Sequence, residues 1–498
     1  MNNATILSHP DMKCLPVMAI FPVIAISLFL FCAFPAMAGS FHVQCPATTT
    51  THPTGAGIKC QQISGGDGFA TMADGTQTYL FAFGPLSGLA DMVKGLPGTQ
   101  PASIFNTVSP VLPPIGQPNP ATTFNGAIGL APDPESDPPN QLTGYVDPRQ
   151  IMDVGVLNGN MPAPLMAIDE DDEFFLTLTN VGQVMRPDLF EQHTVHFHGY
   201  PNASAYYDGV PDASAAINIG GSFTYYYLAP DAGTYFWHCH ITPPEHLQMG
   251  MVGQLYVRPR QNRVAVGGSL YNGLVAQQTN LRTKCGGDIL CATPLPPSNS
   301  VPRVSGKLYA YNDGDGSTAY DVEYPIQMHG FDPNFHFVGM TFNPESFVDL
   351  KDKYFLLNGR SYPDTINPNP LSTQAADGLP RFSQPLPTLI KIPAGGKALL
   401  RISDLNVTEF HTLASLGIPM RVIAINARLL RDQDGNNMAY DTNSITLGGG
   451  ESLDVILNAS DTTKYPAGSV FYLYTPQLNH LSNDAENFGG MMTEIHII

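Results

Sequence analysis

Short apolar runs rich in valine, isoleucine, threonine and aromatic residues recur along the chain, each cut off by glycine, proline, asparagine or aspartate. Runs of this length between turn residues predict strands rather than helices. Residues 78–83, 163–168 and 173–179 read as early strands, and a further strand starts at Gly233 and passes through Tyr235, Phe236 and Trp237. A second series occupies residues 307–312, 355–358, 388–392, 398–404, 420–426, 453–457 and 470–475. The spacing suits an all-β chain of two sandwiches. The first spans 39–260 and the second 306–498, with a linker at 261–305 that carries the proline-rich run 293–297. Residues 84–150 are dominated by small and turn-forming residues and read as a long insertion over the first sandwich, with a short helix around 87–94. An insertion of that length covers an edge, a substrate entrance or a subunit contact.

One apolar run is of a different kind. Residues 15–34 follow Lys13 and lead to Ala36-Met37-Ala38, the pattern of a secretory signal peptide over 1–38. The run is also long enough to span a bilayer, so an uncleaved anchor is the competing reading. The mature chain is expected to be exported, in the periplasm or outside the cell.

Composition narrows the class. Only 13% of the 498 residues are charged, with 47 glycines and 45 prolines, which favours a loop-rich β protein. A formal net charge of −19 argues against nucleic acid or an anionic membrane as a partner and favours cationic donors at the surface. Of seven cysteines, Cys14 and Cys32 fall in the signal. Cys45 with Cys60 and Cys285 with Cys291 bracket short loops, and each pair is a candidate disulfide in an oxidising compartment. Cys239 is left over.

That cysteine sits between His238 and His240 and is followed by His246 and Met251. A thiolate, imidazoles and a weak thioether make the ligand set of a blue-copper centre. Successive side chains on a strand alternate faces, so Cys239 points away from His238 and His240. Upstream, His196 and His198 share a face and His193, an odd number of residues away, takes the other. Parity therefore assigns His193, Cys239, His246 and Met251 to one metal site and His196, His198, His238 and His240 to a second, with the Cys239 backbone as a covalent bridge. A single pair of alternating histidines is more often just hydrogen-bonded; two clusters that sort alike favour metal. The second sandwich has neither a cysteine nor such a pair, and its His329 and His336 read as structural.

These motifs, together with Asp208-Gly209-Val210-Pro211 and residues 220–227 and 232–235, resemble the multicopper oxidases of the cupredoxin superfamily. The similarity covers roughly residues 150–260 and, more weakly, 345–498. It implies two cupredoxin-like Greek-key β-sandwich domains, with copper in type 1 and type 2/type 3 centres. It also implies oxidation of an electron-donating small molecule, metal ion or redox protein, with reduction of dioxygen to water. Asp208 matches a family carboxylate beside the oxygen-reducing cluster, where it would relay protons. His411 and His480 resemble positions at which the second domain of copper nitrite reductases presents histidines to a neighbouring subunit's copper, and two-domain relatives imply a homotrimer. Six residues separate Cys239 from His246, more than in most of the family and fewer than in the nitrite reductases, and the added residues are expected to bulge outward. A copper nitrite reductase is the alternative reading, opposed by His196 and His240. A non-catalytic electron-transfer protein is a lesser one, opposed by the second histidine set.

Overall fold

The computed structural model describes residues 41–498 apart from 114–119, 200–203, 230, 279–292, 299, 342–345 and 375–379. The signal-peptide reading and the Cys285–Cys291 pair lie outside the described residues. In the first half, two sheets are formed by Ile58–Thr71 (β1), Gln77–Pro85 (β2), Met166–Asp169 (β3), Glu173–Gly182 (β4), His196–Phe197 (β5), Ser222–Leu228 (β6), Gly233–His238 (β7) and Val252–Arg258 (β8). One sheet has the order β2-β1-β4-β6 and the other β3-β8-β7-β5. Alternation makes the sandwich: along β6, Phe223, Tyr225 and Tyr227 turn to a core that also holds Phe81, Leu176, Trp237 and Leu255. On the other face Thr224 bonds across to Thr177 at 2.8 Å, a cross-strand pair that fixes register.

The second half contributes Val322–Phe331 (β9), Tyr354–Leu357 (β10), Ile390–Ile392 (β11), Lys397–Asp404 (β12), His411–Leu416 (β13), Met420–Ile425 (β14), Ser444–Leu447 (β15), Ser452–Asn458 (β16), Val470–Tyr474 (β17) and Met492–Ile497 (β18). Its main sheets run β14-β16-β12-β9-β10 and β11-β18-β17-β13-β15. This is the first half's topology over again. The parallel pairs β1/β4 and β3/β8 recur as β9/β12 and β11/β18. The antiparallel pairs β8/β7 and β7/β5 recur as β18/β17 and β17/β13. The chain is all-β, one sandwich built twice.

Between β2 and β3 the chain forms the short helices Leu89–Met92 (α1), Ala102–Phe105 (α2) and Pro148–Gly155 (α3). Leu86, Phe105, Ile128, Val146 and Ile151 from this segment pack on Ile58, Cys60 and Val181, and a Cys45–Cys60 disulfide ties the preceding segment to β1. The cover buries the polar residues Gln61, Gln62, Ser64 and Asp67 of β1. The sequence reading takes 78–83 as the first strand and leaves β1 out.

The two sandwiches meet through a polar seam. Thr234 Oγ1 of β7 donates to Asp454 of β16 at 2.6 Å, and Gln254 Nε2 of β8 donates to the Arg401 carbonyl and to Ser403 Oγ of β12, both at 2.9 Å. Glu323 receives Arg401 Nε at 3.0 Å and Arg258 at 2.6 Å, with both guanidinium groups over the Tyr256 ring. Burial alone would raise the Glu323 carboxyl, but the two guanidinium groups outweigh it and hold it below its ordinary value. The seam fixes β7, whose last residue is His238.

Candidate metal centres

Beyond β7 the chain passes Cys239 and His240 and enters helix Pro243–Met249 (α4). Two prolines open this helix, where missing N–H groups cost nothing, and Gly250, at φ 117°, closes it in the left-handed region. The spacer expected as an outward bulge is thus a turn of helix, with the His246 N–H donating to Thr242 O. Buried His329 and His336 of the second half brace it. A ring nitrogen of His329 lies 3.2 Å from Leu247 O, and the His336 ring lies 2.9 Å from Gln248 O and against Tyr79 O.

His246 is carried back over Cys239, its Nδ1 3.3 Å from Sγ. His193, placed by reciprocal backbone bonds to Ile217 at 3.1 and 2.9 Å, completes a group whose ligand atoms all lie within 4.8 Å of one another. All three residues are fully buried. Met251 is buried in the same core, and its carbonyl accepts from the Cys239 N–H at 3.1 Å. Thr194 N–H also points at the sulfur, at 3.4 Å.

Electrostatics suit a thiolate. Burial alone would raise the Cys239 thiol, but the neighbouring His246 and His193 outweigh it and drop it well below its ordinary value. His246 is the converse: burial disfavours its charge, yet Cys239 and Glu191 push it up to about 9. Glu191 lies 3.7 Å from His246 Nε2 and is partly exposed. Neither ring nitrogen of His193 has a hydrogen-bond partner, and burial keeps that imidazole neutral by lowering its pKa. A fully buried imidazole without a partner beside a thiolate fits a soft metal ion.

On the opposite side of the strand end, ligand atoms of His196, His198 and His238 gather within 4.8 Å of one another. His198 Nε2 and His238 Nε2 stand 2.9 Å apart. Backbone carbonyls fix the rings: His238 Nδ1 donates to Cys239 O at 2.6 Å and His196 Nδ1 to Asp208 O at 2.7 Å. Such outer bonds leave the other nitrogen free for a metal. Burial lowers His198 to about 4 and His238 to about 3, so both offer lone pairs at neutral pH. His240 falls outside this tight group, its ring 5.1 Å from that of His196, with its N–H donating to Thr194 Oγ1. The Asp208 carboxylate lies 3.5 Å from His196 Nδ1.

His411 and His480 are brought together elsewhere, with Glu409, in a third group whose ligand atoms lie within 4.8 Å of one another. Both histidines are buried within their own chain.

Residues 143–262 match the multicopper oxidase family model. Over that stretch the chain is similar to multicopper oxidases. Over 109 residues the chain is 34% identical to laccase abr2 of Aspergillus fumigatus, covering 22% of this chain and 17% of that protein. A copper-containing nitrite reductase of Rhizobium meliloti is also 34% identical over 109 residues, covering 21% of this chain and 26% of that one. The chain thus covers less than a third of either relative's length. Among solved structures, a blue copper oxidase from Nitrosomonas europaea aligns over 88% of this chain and 85% of its own at 18% identity, with a TM-score of 0.48.

Three neighbours of the two donor sets escape the sequence reading. Glu191 stands only two residues before His193, so its proximity to the first set had a local signal. Gly65 lies in β1, where a Cβ would come 2.6 Å from His193 Cδ2. Gly450 comes from the second half, where a Cβ would come 2.7 Å from His198 Nδ1. Neither glycine is near the histidines in sequence.

Proposed function

We propose that the chain is a copper-dependent oxidase that takes single electrons from a reducing substrate and reduces dioxygen to water. In this reading His193, Cys239, His246 and Met251 hold a type 1 copper, and His196, His198, His238 and His240 hold the type 2/type 3 coppers. The observation that carries it is the shared strand end: Cys239 belongs to one donor set and its covalent neighbour His238 to the other. Bound copper supplies the one-electron and dioxygen chemistry. The chain's own residues do the rest. Phe81, packed edge-on against His246 at 5.2 Å, Tyr225 and Trp237 keep water from the thiolate. Glu191, partly exposed beside buried His246, gives the first set a negatively charged approach for a cationic or hydrogen-bond-donating reductant. Asp208, partly exposed beside His196, carries protons to the second set as a general acid–base group. Export from the cytoplasm and assembly as a homotrimer belong to the same proposal.

The test is oxygen uptake by the copper-loaded protein with a phenolic or ferrous reductant. Uptake that is lost in both Cys239→Ala and His238→Ala supports the oxidase. Nitrite turnover with little oxygen uptake would replace it with a nitrite reductase, and copper in the first set with neither activity would leave an electron carrier.

A further inference from the structure

The second sandwich repeats the ligand scaffold of the first down to single hydrogen bonds. In the first, the Cys239 N–H donates to Met251 O at 3.1 Å and the Met251 N–H to His246 O at 2.8 Å. In the second, the Thr475 N–H donates to Met491 O at 2.9 Å and the Met491 N–H to His480 O at 3.0 Å. The residue before each methionine, Gly250 or Gly490, has positive φ. His411 opens β13, the counterpart of β5, just as His193 precedes β5. Thr475, His480, Met491 and His411 therefore stand where Cys239, His246, Met251 and His193 stand, and the thiolate is gone.

A carboxylate is present instead. Ligand atoms of Glu409, His411 and His480 all lie within 4.8 Å of one another, with Glu409 Oε2 3.1 Å from His480 Nε2. His411 is 0% exposed, yet neither ring nitrogen has a hydrogen-bond partner, and Nδ1 of His480, 1% exposed, has none either. Asp404 Oδ1 lies 3.4 Å from His411 Nδ1, and its Oδ2 is also unpartnered. Buried polar atoms left without partners are costly, and a cation among these three ligands gives one ring nitrogen of His411 the partner it lacks. Phe355 stacks on the His480 ring at 3.7 Å and holds its orientation.

We propose that Glu409, His411 and His480 bind a divalent first-row transition-metal ion in a third centre that is complete within one chain. Two imidazoles and a carboxylate with an open side are a common ligand set for such ions. Lacking a thiolate, the centre has no intense thiolate-to-metal band of the kind expected of the Cys239 set. It gives His411 and His480 a site of their own rather than a share in a neighbouring chain's cluster. It also has a route to the second histidine set. In the loop after β15, Gly448 packs on Phe410 and Gly449 on Asn406 O, while Gly450 abuts His198. An ion fastening Glu409 to His411 and His480 steadies the 406–410 segment and, through it, the wall behind His198.

Zinc alone is the probe, added to a full-length His196→Ala, His238→Ala, Cys239→Ala variant in which both first-sandwich sets are broken. After equilibrium dialysis, a single zinc ion per chain is expected, retained on dilution to single chains. Glu409→Gln on this background should weaken zinc at least about 10-fold, because it removes a ligand from the exposed side of the site, where folding is not at risk. Asp404→Asn should weaken it as well, because it removes the negative charge 3.4 Å from His411 Nδ1. His480→Ala, checked for folding by circular dichroism, should abolish it. No zinc in the background variant, or affinity indifferent to both Glu409→Gln and His480→Ala, overturns the proposal. So does zinc that is lost on dilution, which would mean a site shared between chains. Failure of the copper reading appears separately, in the spectrum of the unsubstituted protein.

Discussion

Gly65 offers the sharpest mechanical test of the first donor set. A Cβ added there would sit 2.6 Å from Cδ2 and 3.2 Å from Cγ of His193, where ordinary contact begins at 3.4 Å. Gly65→Ala therefore demands a movement of roughly 0.8 Å, and neither side can yield it cheaply. The His193 backbone is held by its two bonds to Ile217, the ring is fully buried, and β1 is clamped between β2 and β4. Overpacking of this kind costs about 1–3 kcal/mol. The displaced ring is itself a proposed ligand, so the cost falls on metal binding, equivalent to about 5- to 150-fold in affinity. The assay is titration of the copper-free protein with copper, followed by blue absorption, with circular dichroism to establish folding. His196, His198 and His238 do not touch Gly65, so their metal content serves as an internal control. Blue colour and copper affinity equal to those of the unsubstituted protein would refute the placement of β1 against His193.

Gly450→Ala should act on the second set alone, because it adds a Cβ 2.7 Å from His198 Nδ1 at a residue with φ 88°, a left-handed position that costs an L side chain about 1–2 kcal/mol; oxygen uptake should fall while blue absorption persists. Copper affinity of the first set should climb with pH and level off near 9, since His246, pushed up to about 9 by Cys239 and Glu191 against the effect of burial, holds below that pH a proton that metal must displace. Cys239, already well below its ordinary pKa, adds no slope in that window, and a flat profile between pH 7 and 9 would contradict the assignment. Glu323→Ala leaves fully buried Arg401 without its principal partner and should destabilise the chain by about 3–5 kcal/mol in denaturant unfolding.

The sequence carried the β class and the two-sandwich layout because turn residues and β-branched runs alternate plainly. Strand parity, being local, groups His193 with Cys239 and His246, and His196 with His198 and His238, as the structure does; His240, which parity also places in the second group, falls outside its tight cluster. β1 was hidden for a physical reason. Its Gly65, Gly66 and Gly68 look like a loop, yet each lies where a neighbour comes too close for a Cβ, respectively His193, Val181 and Gly159. Its glutamines are polar but buried by the segment between β2 and β3. β9 was hidden by Pro325, which stands in mid-sheet opposite Arg401 where a proline argues against a strand. The α4 helix is masked in the sequence because its two opening prolines look like a break and are instead its first turn. Glu409 stands two residues before His411, as Glu191 does before His193, so that pair had a local signal; the return of distant His480 to the start of β13 had none in the local pattern, since it follows from the repetition of the first sandwich's hydrogen bonds.

The most direct test of the central claim, that one strand end serves two metal sets, is to load the protein and its Cys239→Ala and His238→Ala variants with copper. Metal content is then recorded with the visible and electron paramagnetic resonance spectra. The account predicts an intense blue band that vanishes in Cys239→Ala while the second set keeps its copper, and that survives in His238→Ala while the second set loses copper. A colourless copper-loaded protein, or both metal populations lost together in either variant, would contradict it.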